Sequence, residues 1–165
     1  MPVTRPARSG LVPGIVVAGL VLVADQLTKW AALASLEPYQ PVPVLPILNL
    51  TLAFNTGAAF SFLADGGGWQ RWLLSGVAVA VSAYLLVWLR GLDAAKRLEV
   101  IGLGLILGGA LGNLVDRLRL GGVIDFIDVH YGGWHWPAFN VADSAITLGV
   151  VAVLVTAWRD WRGGR

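Results

Sequence analysis

The chain has 165 residues, of which 56% are hydrophobic and only 13% are charged. Its mean hydropathy is +0.70. A soluble globular domain carries about 25% charged residues, so this composition excludes that class and indicates an integral membrane protein. The net charge is only +2, with the basic residues at segment ends rather than in a patch, so nucleic-acid binding is not indicated. There is no cysteine, which excludes disulfides and thiolate catalysis.

The first two apolar segments cover about 11–36 and 72–89. Each is close to the about 20 residues that a helix needs to cross the hydrocarbon of a bilayer. The first is interrupted by Asp25 and Lys29, whereas the second contains no charge. An alternative interpretation makes the first segment a cleaved signal peptide, but its apolar run is long for that role and its two charges would be unusual there.

A long outer loop, 37–68, connects these two segments. Four prolines between positions 38 and 46 exclude a helix, and the alternation over 47–54 favours extended structure. The later part, 55–62, is small, apolar and aromatic. We predict a short β-sheet on the outer leaflet, followed by a lid that dips toward a site.

The last two apolar segments cover about 98–118 and 141–158, with a second outer loop at 119–139. In the third segment, Gly104, Gly108 and Gly112 recur every four residues and predict a smooth strip on which another helix packs closely. The chain is therefore expected to form a single all-α membrane domain, 1–165, with four transmembrane helices and a small extracytoplasmic sheet and lid.

Basic residues orient these segments. Eight of the 12 lysines and arginines precede the first segment, lie between the second and third, or follow the fourth. The positive-inside rule then places both termini in the cytoplasm, and the end of the third segment and the start of the fourth at the outer face. Tryptophans at segment ends fit an aromatic belt. The eight basic residues are Arg5, Arg8, Arg90, Lys96, Arg97, Arg159, Arg162 and Arg165, and the tryptophans are Trp69, Trp72, Trp134, Trp136 and Trp158.

Several polar side chains fall inside the predicted spans. Asp25 and Lys29 are four residues apart, so they share a helix face and can neutralise each other. Asn113, Asp116 and Arg117 share a face of the third helix, where Arg117 is the expected counter-ion for Asp116 or for a carboxylate of another helix. Structural support is the favoured role for both groups.

Asp125 and Asp143 are expected to meet at the outer membrane face. Asp125 lies among apolar residues just after the third span, and Asp143 follows Asn140 by one helical turn near the start of the fourth. Two carboxyls that share one proton can activate water against an amide bond. Spacing alone does not choose Asp125 over Asp116 as the first member of such a pair.

Five blocks of sequence form a pattern across almost all of the chain between its tails. They are Asp25-Gln26 with Lys29, Phe54 to Ser61, Gly108-Gly109-Ala110 through Asn113 to Asp116-Arg117, Val123 to Phe126, and Phe139 to Ser144. Together, they resemble the bacterial lipoprotein signal peptidase family, also called signal peptidase II.

The resemblance implies an aspartic endopeptidase of the bacterial inner membrane, with its active site near the periplasmic face. It would remove the signal peptide of prolipoproteins just before a cysteine that carries diacylglycerol. The family's catalytic pair corresponds to Asp125 and Asp143. The supporting and pocket-lining positions correspond to Asn55, Asn113, Arg117, Asn140, Asp25, Lys29 and Asp116.

The mechanism implied by the resemblance requires no metal and no cofactor. His130 and His135 are interpreted as an interfacial hydrogen-bonding pair. The expected partners are lipid-modified prolipoprotein substrates and membrane lipid, with no obligatory protein partner indicated. Two alternatives remain, a small proton-coupled transporter that uses the intramembrane carboxylates and a non-catalytic membrane scaffold.

Overall fold

The computed structural model describes residues 9–57 and 67–164. These residues form the four predicted helices and a small antiparallel sheet of four strands. All four helices are long and apolar enough to cross a membrane. The helices are α1 (Leu11–Ser35), α2 (Trp69–Gly91), α3 (Arg97–Leu120) and α4 (Val141–Gly163), and the strands are β1 (Val42–Leu45), β2 (Leu48–Asn55), β3 (Val123–Tyr131) and β4 (Trp134–His135).

Helix α3 is the core of the bundle. In its 18-residue apolar stretch, 61% of the residues are buried, against 17–22% in the corresponding stretches of the other three helices. The predicted glycine strip lies against α1: a methyl group at Gly104 would come 2.7 Å from Gly14 O, and one at Gly108 would come 2.6 Å from Ala18 O. The strip therefore lets two backbones approach more closely than any side chain would permit.

A second close approach, between α3 and α4, is absent from the prediction. A methyl group at Gly149 would lie 2.5 Å from Gly102 O, and one at Gly109 would overlap Ala142 O. These glycines follow no four-residue repeat, so the sequence pattern does not single them out. Close packing on both sides of α3 fixes the start of α4 relative to α1.

The sheet has the strand order β1-β2-β3-β4. The prediction that the sheet belongs to the loop between the first two helices is incomplete, because β3 and β4 come from the second outer loop, 119–139. A two-stranded sheet is only marginally stable, and β3 provides β2 with a second partner. The register places Ala53 opposite Asp125 and Phe54 opposite Ile124. This pairing brings the end of β2 to the predicted catalytic region.

Two helices extend past the predicted apolar segments. Helix α4 continues to Gly163 rather than ending near 158, and α2 begins at Trp69 rather than 72. Hydropathy marks only the part of a helix that lies in hydrocarbon, whereas the backbone hydrogen bonds continue into the polar region. The guanidinium of Arg162 covers the Trp158 ring at 4.8 Å in this extension. Most of the predicted lid, 58–66, lies outside the described residues.

Candidate active site

Asp125 on β3 and Asp143 on α4 meet at Asn140, the residue that precedes α4. The Asn140 amide nitrogen Nδ2 donates to Asp125 Oδ1 at 2.7 Å, and its backbone N donates to Asp143 Oδ2 at 3.2 Å. Asn140 Oδ1 accepts the backbone N–H of Asp143 at 2.9 Å, which completes a capping box at the start of α4. This arrangement fixes the orientation of the Asn140 amide and holds the two carboxylates at the same end of the bundle.

Lys29 and Asn113 lie behind this pair. Asn113 Nδ2 donates to Asp143 Oδ1 at 2.8 Å, and Asn113 Oδ1 accepts from Lys29 Nζ at 2.9 Å. Lys29 is 1% exposed, so its charge requires buried partners. Lys29 Nζ forms ion pairs with two carboxylates, Asp25 Oδ2 at 2.8 Å and Asp116 Oδ2 at 2.7 Å. The predicted pairing of Asp25 with Lys29 is present in the structure.

Asp25 and Asp116 also bind backbone donors of the segments that carry the pair. Asp25 Oδ1 accepts the N–H of Ala142 in the first turn of α4 at 2.9 Å, and Asp116 Oδ2 accepts the N–H of Ile124 on β3 at 3.2 Å. The ion triad of Asp25, Lys29 and Asp116 therefore joins α1 and α3 to both site-bearing segments.

Arg117 forms no ion pair with Asp116 among the described residues, whereas the alternative expectation, a carboxylate of another helix, agrees with the negative charge of Asp143 acting on it. Asp116 pairs with Lys29 instead, because the buried ammonium of Lys29 lies between the carboxylates of Asp25 and Asp116. The Arg117 guanidinium donates to the carbonyl oxygen of Gly57 at 3.2 Å and to that of Asn113 at 3.5 Å. It thus connects α3 to the chain that follows β2.

Asn55 ends β2 beside Asp125. Its Nδ2 donates to Asp125 Oδ2 at 3.2 Å, and its Oδ1 accepts the N–H of Gly57 at 3.0 Å. Asp125 is 3% exposed. Burial, reinforced by the negative charge of Asp143, raises the pKa of Asp125 from its ordinary 3.8 to about 7, against the opposing effect of the amide hydrogen bonds. With a pKa of about 7, this carboxyl is about half protonated at neutral pH and mostly protonated below it.

The structure brings all nine sequence-predicted site residues into this connected region, and it adds Gln26, which the prediction did not assign to the site. Gln26 Nε2 donates to Asp116 Oδ1 at 3.0 Å and to Asp25 Oδ2 at 3.2 Å. Its position directly after Asp25, within the same sequence block, was the available signal.

A separate polar cluster occupies the far end of the sheet. Asp128 accepts hydrogen bonds from Asn49 Nδ2 at 3.1 Å and Thr51 Oγ1 at 3.2 Å, and it contacts His135 Nδ1 at 2.8 Å. Burial acts to raise the pKa of Asp128, but the bonds from His135 and Asn49 outweigh it and lower the pKa. His130 stacks on His135 with ring centroids 5.1 Å apart. This cluster ties β2, β3 and β4 together. Among the described residues, no group of three or more His, Cys, Asp or Glu side chains is arranged to hold a metal ion.

Comparisons with known proteins agree on one family. The family model described as signal peptidase (SPase) II matches residues 17–159. A lipoprotein signal peptidase of Polynucleobacter necessarius is 51% identical over 148 residues, covering 90% of this chain and 88% of that protein. One from Pseudomonas aeruginosa strain UCBPP-PA14 is 51% identical over 159 residues, covering 95% of this chain and 94% of that protein.

The fold also matches solved structures. A protein described as a bacterial membrane enzyme superposes with a TM-score of 0.85 at 28% identity, covering 98% of this chain and 97% of that one. A second, with the same description, gives a TM-score of 0.80 at 28% identity, covering 95% of this chain and 99% of that one. These comparisons do not support the transporter alternative. The chain belongs to the signal peptidase II family of membrane proteases.

Proposed function

We propose that Asp125 and Asp143 are the catalytic pair of an aspartic endopeptidase that removes signal peptides from prolipoproteins. The observation that carries this proposal is the Asn140 bridge, which contacts both carboxylates within 3.2 Å at the start of α4. Both acids are held by neutral amides rather than by a cation, which leaves their charge available for chemistry. Asp25 and Asp116, in contrast, share the buried Lys29.

The reaction requires one proton on the pair. The ionised carboxylate removes a proton from water while the protonated carboxyl polarises the scissile carbonyl oxygen. Water oxygen then bonds to the carbonyl carbon, and the resulting intermediate breaks its C–N bond as the nitrogen takes up a proton. The raised pKa of Asp125 supports the presence of that proton near neutral pH.

The substrate proposed here is a signal helix followed by a cysteine that carries diacylglycerol. The relatives are named lipoprotein signal peptidases, which supports this substrate class for the present chain. Because such a substrate has a membrane-spanning segment and acyl chains, it would reach the site laterally through the bilayer. Asn55 and Arg117 contact the chain at Gly57, where the outer loop approaches the pair, and are proposed to line this pocket.

We further propose that the protein lies in the bacterial inner membrane with both termini in the cytoplasm. The charge pattern supports this orientation. The site would then lie near the periplasmic face, with β3 following the end of α3 and Asn140 preceding the start of α4.

The direct test is cleavage of a lipid-modified precursor by purified protein in detergent micelles. Asp125→Asn and Asp143→Asn are each expected to lower kcat by at least about 10³-fold, the scale for removing a group that acts in the transition state. Asp128→Asn is the matched control, because it removes a carboxylate from the same strand without touching the pair. Full activity in either pair variant, with the variant folded, would refute the assignment.

A further inference from the structure

The two aspartates of the catalytic pair have different surroundings, and the difference originates at Lys29. We propose that Lys29, acting through the Asn113 amide, keeps Asp143 ionised and leaves the shared proton on Asp125. This inference rests on the proposed function and adds to it the identity of the base and of the acid. Lys29 and Asn113 are then positioning residues.

The first step is the orientation of Asn113. An ammonium has three N–H donors, and those of Lys29 meet Asp116 Oδ2 at 2.7 Å, Asp25 Oδ2 at 2.8 Å and Asn113 Oδ1 at 2.9 Å. The Asn113 oxygen must therefore face Lys29, because an amide NH₂ there would oppose a donor with a donor. The NH₂ group is left to donate to Asp143 Oδ1, at 2.8 Å.

The second step is the helix position of Asp143. It lies in the first turn of α4, a helix of 23 residues, and its Oδ2 accepts the backbone N–H of Asn140 at 3.2 Å. The N-terminal end of a helix carries a partial positive charge that favours a carboxylate. Each oxygen of Asp143 therefore faces a donor whose orientation is fixed by other contacts.

Asp125 is supplied less well. Asn140 Nδ2 has two protons but three acceptors within reach: Asp125 Oδ1 at 2.7 Å, Ile124 O at 3.1 Å and Asn113 Oδ1 at 3.2 Å. Among residues 9–57 and 67–164, the other donor to Asp125 is Asn55 at 3.2 Å. Asp125 lies on β3, away from the first turn of any of the four described helices. Its raised pKa agrees with a carboxyl that keeps its proton.

The surrounding charges limit the pair to one negative charge. The charged groups that face it are Asp25 and Lys29 on α1, and Asp116 and Arg117 on α3. These two acids and two bases sum to zero, so no net positive charge offsets the repulsion between two ionised carboxylates in the pair. One proton is retained, and the contacts of Asn113 place it on Asp125.

This assignment gives each acid one task. Asp143 removes a proton from water as the water oxygen bonds to the carbonyl carbon, and Asp125 transfers its proton to the carbonyl oxygen. When the C–N bond breaks, Asp143 gives its proton to the leaving nitrogen. Asp125 recovers a proton from the hydroxyl group as the new carboxylic acid forms, so the resting state returns.

Infrared spectroscopy of the purified protein tests the location of the proton without relying on activity. At about pH 6, which lies between the ordinary carboxyl pKa of 3.8 and the raised pKa of about 7 for Asp125, we expect a band from a buried protonated carboxyl in the native protein. Asp125→Asn should abolish the band and Asp143→Asn should retain it. The reverse pattern would overturn the assignment, even if the protein proves not to cleave prolipoproteins.

The role of Asn113 is tested with Asn113→Ala, which leaves both ion pairs of Lys29 in place. The expected result is a shift of the acidic limb of the kcat/KM profile to higher pH by about one to two pH units, the worth of one hydrogen bond to a charged group. In the Asp125→Asn background, the same change should restore a protonated-carboxyl band, now from Asp143.

Asn49→Ala is the matched control, because it removes an amide that donates to Asp128, at the far end of the sheet, rather than to either member of the pair. It should leave the acidic limb in place. A lower kcat with an unmoved limb in Asn113→Ala, or an equal shift in Asn49→Ala, would overturn the role of Asn113 while leaving the proposed protease activity intact. Failure of the native protein to cleave the precursor would instead contradict the proposed function.

Discussion

Replacing Asp125 with asparagine should make the stability of the folded protein depend less steeply on rising pH. A carboxyl whose pKa is higher in the folded than in the unfolded state stabilises the fold at low pH, where it is protonated. That contribution is lost as pH rises and the carboxyl ionises. For Asp125 the contribution is complete below about 3.8 and is lost as pH rises through about 7. Asparagine carries no such charge, so this pH dependence should vanish.

The size of the effect follows from the two pKa values. The pKa of Asp125 is 3.8 in the unfolded state and about 7 in the folded state. The free energy of unfolding therefore falls by about 4 kcal/mol between low pH and the pH at which both states are ionised, and about 2 to 3 kcal/mol of this fall occurs between about pH 5 and pH 8. For a protein of this size, that difference corresponds to a change in Tm on the order of 5 to 10 °C. The Asn side chain also loses a hydrogen-bond acceptor at every pH, so the slope with pH is the useful quantity.

The assay is thermal unfolding in detergent micelles between about pH 5 and pH 8, the window that contains the raised pKa. The native Tm should fall more steeply with pH than that of Asp125→Asn. Asp93→Asn, which removes an exposed carboxylate from the turn between α2 and α3, controls for the loss of one negative charge. Parallel slopes for the native protein and Asp125→Asn would refute the reasoning, because they would mean that Asp125 ionises alike in both states.

Three further predictions concern packing, capping and the sheet. Gly108→Ala should destabilise the protein by about 1 to 3 kcal/mol through overpacking, because its methyl group would lie 2.6 Å from Ala18 O, whereas Gly76→Ala, with nothing within 4 Å, should be tolerated; thermal unfolding of the two variants decides this. Asn140→Ala should cost about 1 kcal/mol for the lost helix cap and lower kcat by at least about 100-fold, because Asp125 loses its Nδ2 donor and the cap bond that fixes the first turn of α4 beside Asp143 is lost; near-native cleavage would contradict the bridging role. The lowered pKa of Asp128 adds stability above its unfolded value that is lost on acidification, so the gap in Tm between the native protein and Asp128→Asn should narrow as pH falls below about 4, and a gap that widens would be the wrong sign.

The four helices and the Asp25–Lys29 ion pair could be predicted from sequence because each depends on local pattern. Apolar length predicts the helices, and the four-residue spacing of Asp25 and Lys29 predicts an ion pair that the structure contains at 2.8 Å. The assignment of Asp125 over Asp116 depended on the family resemblance and stays a proposal. The geometry gives an independent reason for it, since Asp116 already neutralises a buried ammonium.

What sequence could not supply was partner choice between distant segments. The spacing of Asp116 and Arg117 left open whether Arg117 pairs with Asp116 or with a carboxylate of another helix, and it did not indicate that Lys29 reaches Asp116 from α1. Likewise, nothing in the alternation of 47–54 indicates that β2 pairs with β3, about 70 residues later in the chain. Such choices are made by burial and by competition among donors in three dimensions, and a one-dimensional period does not record them.

The Asp25 contact to Ala142 N spans 117 positions of the chain. Helix α1 thereby anchors the first turn of α4, which carries Asp143. Before α4 has entered the bilayer and docked against α1 and α3, Asp125 stands without the second member of the proposed pair. If the proposed pair is catalytic, a chain in which α4 is missing or undocked therefore presents no working protease to the surrounding membrane.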